Sequence, residues 1–76
     1  MITLMDALEI AKGERSGIDF VVEYEKGFVF SGSNDAGYIG GLNHSPVVVL
    51  KDNGAVTNMI SFVNAGTGKE IDKHSI

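Results

Sequence analysis

IDFVVEYEKGFVFS, residues 18–31, decides the fold. Side chains alternate through residues 18–25, with Ile18, Phe20, Val22 and Tyr24 projecting one way and Asp19, Val21, Glu23 and Glu25 the other. A period of two is the pattern of a strand packed on one face. Lys26-Gly27 then supplies a turn, after which Phe28 and Phe30 share one face and Val29 and Ser31 the other. The two runs are expected to pair as an antiparallel hairpin with the large aromatics beneath a preceding helix.

That helix is predicted over residues 5–12, with Leu4 as a possible first residue. Thr3 can cap it, with Asp6 three positions on in a weak form of the capping box. Leu4, Ala7, Leu8 and Ala11 recur at helical spacing and make one apolar stripe. Gly13 is expected to end the helix in a left-handed conformation.

Beyond the hairpin lies SNDAGYIGGLNHS, residues 33–45, long for a loop inside a compact domain and of a length that is often functional. Pro46 then opens a strand over residues 47–50, a place where its missing N–H costs no ladder bond. Asp52-Asn53-Gly54 follows, and Asn-Gly is a strong hairpin signal because both residues accept positive φ. The strand after it is expected to run to about Phe62, a second hairpin over 47–62. Met59, Ser61 and Val63 alternate as in a strand, while Val56, Met59, Ile60 and Val63 also fit a helix. The tail, residues 69–76, is polar and expected to fray, with Glu70-Ile71 able to add a short edge pairing.

The fold expected is therefore α+β and a single domain over 1–76. One N-terminal helix packs on a small antiparallel sheet of three to five strands: hairpin 18–31, long loop 33–45, hairpin 47–62. One helix covers one face only, yet Val21, Val29 and one register of 47–50 place aliphatic groups on the other. A helix formed after Thr57, a second copy of the chain or a binding partner would have to cover them.

Composition narrows the function. Six basic residues against ten acidic ones give a net charge of −4. Such a surface lacks the counter-charge that nucleic-acid phosphates and anionic lipid require, which argues against direct DNA or RNA binding. With no cysteine, neither a disulfide nor a thiolate metal site can hold the fold, which fits a reducing compartment. The start, MITLMDALEIAKGER, lacks basic residues at its beginning and carries Asp6 and Glu9 where an export signal would be apolar. No run reaches the ~18 apolar residues that a membrane span needs. A cytoplasmic, membrane-free protein is expected.

No motif completes a catalytic set. NAGTGKE, residues 64–70, resembles part of a phosphate-binding loop, but Val63 stands where the leading glycine belongs and Glu70 where the hydroxyl belongs. A glycine-rich turn is the simpler reading. His44 and His74 are the only histidines. His44 beside Asp35, Asn43 and Ser45 could act as a base only with an orienting partner and a pocket, and the simpler role for Asn43, His44 and Ser45 is to satisfy backbone groups of the loop. Two distant histidines give no metal-ligand spacing, so no metal and no cofactor is expected. Asn43-His44-Ser45 matches a glycosylation acceptor, which is irrelevant without secretion. Asp19, Glu23 and Glu25 form an acidic stripe, ordinarily a solvated face, that could also meet a basic partner. Tyr38 and Ile39, among Gly37, Gly40 and Gly41, are equally suited to anchoring an interface or to folding back over the sheet.

The order of these pieces, MITLMDALEIAK, GFVFSGS and GGLNHSPVVVLKDNGAV, resembles the YrhB-type family of small bacterial immunity proteins over roughly residues 1–57. PepSY domains are similar in layout, although this chain shows no export signal and departs from both in its short helix-to-strand link and in its tail after Gly66. The immunity-type resemblance implies toxin neutralisation by binding and transfers no catalytic residue. The resulting expectation is a non-enzymatic protein-binding inhibitor, of immunity type or encoded by a phage or mobile element against a nucleic-acid-processing host enzyme. In it Tyr38 and Ile39 anchor, while Asp19, Glu23, Glu25 and Asp35 complement a basic partner. The alternatives are a small-ligand sensor or enzyme using the glycine-rich loop and His44, and an oligomeric scaffold, such as a homodimer through the second sheet face.

Overall fold

A computed structural model describes residues 1–15, 17–32 and 46–76. The elements are α1 (Leu4–Glu14), β1 (Phe20–Tyr24), β2 (Gly27–Ser31), β3 (Val47–Leu50), β4 (Val56–Thr57), α2 (Met59–Ala65) and β5 (Glu70–Ser75). The strands form one antiparallel sheet in the order β4-β3-β2-β1-β5. The architecture is α+β, with α1 on one face and α2 on the other.

Thr3 starts α1 with a capping box closed in both directions. Its Oγ1 accepts from the Asp6 N–H at 3.2 Å, and its own N–H donates to Asp6 Oδ2 at 3.3 Å. Ala7 and Ala11 are fully buried and let the helix approach the sheet closely, with Leu4, Leu8 and Ile10 packed beside them. Gly13 does not end the helix. α1 runs through it to Glu14, the cap is an extended Arg15, and among the described residues the first with a positive φ is Gly17 at 78°.

The hairpin β1–β2 forms as its alternation predicts, but the face assignment of β1 is reversed. Val21 lies opposite Phe30 and Glu23 opposite Phe28. Cross-strand partners share a face, so Val21 lies under α1 with Phe28 and Phe30, not on the far side. Val22 pairs with Val29, and both belong with Tyr24 to the opposite core. Both alternating sets of β1 contain a valine, so apolarity alone could not select between them. The two-residue link Glu25-Lys26 sets the register that does.

Pro46 precedes β3 as expected. The following turn is wider than Asn-Gly suggests: Leu50 N–H donates to the Ala55 carbonyl at 2.9 Å, enclosing residues 51–54. Asn53 Oδ1 accepts from the Ala55 N–H, and of the turn residues only Gly54 takes a positive φ, 72°. β4 then stops at Thr57 and does not reach Phe62. Asn58 turns the chain into α2 by accepting the Ser61 N–H on Oδ1 at 2.8 Å, and Gly66 at φ 100° ends it. A helix after Thr57 is one candidate cover for the second face, and α2 takes that place. Phe62, 1 % exposed, is its wedge, packed edge-on against Tyr24 with ring centroids 5.7 Å apart and joined by Val29 and Val48.

The C-terminal tail is not frayed. Residues 70–75 run antiparallel along the whole of β1, with a bulge that leaves Ile71 without a partner there, and the Ile76 N–H donates to the Asp19 carbonyl. The glycine-rich stretch before it is a connector. Lys69 N–H donates to Glu25 Oε1 at 2.7 Å, Glu25 N–H to the Lys69 carbonyl, and Lys26 N–H to the Thr67 carbonyl.

Candidate functional site

α2 is read MISFVNA and contains no ionisable residue. Met59 and Phe62 face the sheet core. Ile60 and Val63, three apart and hence neighbours on one helix face, stay outside it with 76 % and 56 % of their surface exposed. Val56, at the end of the preceding turn, is also exposed. Exposed aliphatic side chains on an uncharged helix have the composition of an interface centre, where charge is depleted.

Beside this helix a cleft of about 370 Å³ opens toward the β3–β4 turn, in the size range of ligand pockets. Leu50, Phe62 and Ala65 give its apolar lining; Thr57 and Ser61 contribute hydroxyls; Lys26 and Asp52 contribute opposite charges.

Glu23, expected in the acidic stripe, is committed to the α1 side. Its Oε2 takes the Lys51 ammonium at 2.6 Å, and Lys51, 7 % exposed, holds that ammonium 5.0 Å from the Phe28 ring centre. Glu25 is exposed but already accepts from the backbone of Lys69. Asp19 is partly buried, with its N–H given to the Ser31 carbonyl and its carbonyl to Ile76. The structure therefore does not bring these three acids together as a free stripe. Asp35, Tyr38, Ile39 and His44 lie outside the described residues. His74 Nδ1 sits 3.3 Å from Asp72 Oδ2 on β5, and among the described residues no three His, Cys, Asp or Glu side chains gather to hold a metal. Among the same residues, no helix is long and apolar enough to cross a membrane.

Sequence reasoning missed Ile60 and Val63. Their signal was present as helical spacing, which the strand reading of residues 56–62 set aside. No family model, curated protein or solved structure matches the chain.

Proposed function

We propose that this chain is a small acidic protein-binding module that works in the cytoplasm by covering part of another protein, as an inhibitor or immunity-type factor and not as an enzyme. The observation that carries the reading is the pair Ile60 and Val63, left in solvent on a helix without charge. An exposed apolar patch is a solubility liability, and proteins that keep one commonly use it for association. The chain's net charge of −4 favours a basic partner and faster encounter. Tyr38 and Ile39 are further anchors in this reading, and Asp19, Glu25 and Asp35 supply charge. Glu23, held by Lys51, contributes to folding instead.

The test is affinity for the partner recovered from the native host and then purified. Ile60→Asp and Val63→Asp should each weaken binding about fivefold or more, since a buried interface anchor contributes over ~1 kcal/mol. Thermal midpoints should stay near the parent's, because neither side chain is in the core. Parent-like affinity in both variants contradicts the reading. A second copy of the chain is the other occupant this face allows. Sedimentation equilibrium distinguishes it, by a dimer mass that the same substitutions return to monomer.

A further inference from the structure

The cleft beside α2 gathers polar groups that the fold itself does not use. Lys26 gives its backbone N–H to Thr67 and its carbonyl to Lys51, but its ammonium makes no hydrogen bond or ion pair among the described residues. Asp52 likewise has an unpartnered carboxylate, and the hydroxyls of Thr57 and Ser61 are unbonded in the same sense. Opposite charges line one cleft without neutralising each other. Leu50, Phe62 and Ala65 add apolar surface to the same cleft. A few polar groups beside an apolar lining, in a cleft of about 370 Å³, are features of a small-molecule site.

From this arrangement we propose that the cleft binds a zwitterion with an apolar side chain, a free amino acid or a dipeptide, with its carboxylate at Lys26, its ammonium at Asp52 and its side chain on the Leu50–Ala65 surface. A purely anionic ligand would face Asp52, and a purely cationic one Lys26. Only a molecule carrying both charges satisfies both. Thr57 and Ser61 can donate to the carboxylate or accept from the ammonium. The site is separate from the partner surface at Ile60 and Val63, neither of which lines the cleft.

The test is a titration of the ¹⁵N-labelled chain followed by amide resonances, with leucine, leucyl-leucine, N-acetyl-leucine and leucinamide as probes. Leucine or leucyl-leucine should give saturable shifts at Asp52, Thr57, Ser61 and Gly66, and whichever of the two binds tighter identifies the source. N-acetyl-leucine, without the ammonium, and leucinamide, without the carboxylate, should bind more weakly. Lys26→Met and Asp52→Asn should each lower affinity about two- to fivefold, the range for an ion pair in solvent. Both side chains are exposed, so the variants should keep the parent's spectral dispersion. The proposal is overturned by absence of saturable shifts with both zwitterions, by shifts confined to other residues, or by capped probes that bind as well as uncapped ones.

Discussion

A methyl group on Gly27 would lie 2.9 Å from the Val49 carbonyl oxygen and 3.3 Å from the Phe62 ring. The bare backbone there lets Phe62 seat on β2, so Gly27→Ala must push either the neighbouring strand or the wedge of α2. A loss of about 1–3 kcal/mol is expected from overpacking, read as a lower thermal midpoint; an unchanged midpoint would mean that Phe62 does not depend on this contact. Lys51 poses a different problem. Its ammonium is buried and rests on a single carboxylate, Glu23, which keeps 28 % of its side-chain exposure. Glu23→Ala leaves that cation unpaired. The expected cost is about 2 kcal/mol, below the ~3–5 kcal/mol of fully buried pairs because water can still reach the site. Glu23→Ala combined with Lys51→Met should recover much of it, and additive losses in this double-mutant cycle would show that the two residues are uncoupled.

Among the elements, β5 holds the largest untested stake. It pairs with every residue of β1, and without it the inner strand would become an edge. Removing residues 70–76 should therefore unfold a 76-residue chain whose margin is thin, visible as loss of the cooperative melt by circular dichroism. Retention of the parent's midpoint would fit a frayed tail. EIDKHS gave little warning of this strand, for an edge strand exposed on both faces needs no apolar alternation, and charged residues commonly blunt such edges. By contrast, α1 and the β1–β2 hairpin were legible because a capping box and a period of two are local signals. α2 was legible only in part. Residues 56–63 fit both periods, and what decides between them is Asn58, whose side chain caps the helix three residues before Ser61. The candidate site suffered with it, since reading residues 56–62 as strand hid the fact that Ile60 and Val63 share a helix face.

For the whole molecule, two thin cores on either side of one sheet explain how so short a chain folds. α1 closes the first with Ala7 and Ala11, and α2 closes the second with little more than Phe62 and Met59. A seven-residue helix has only one face to spend on the sheet, which leaves Ile60 and Val63 outside. On the proposed reading, that pair is the centre of the partner surface, and the net charge of −4 favours a basic partner. Amide hydrogen exchange of the chain, free and saturated with its purified partner, tests this account most directly. Slowed exchange centred on residues 59–65 in the complex is the predicted result. Unchanged exchange across α2, with protection confined to α1 or β5, would contradict it.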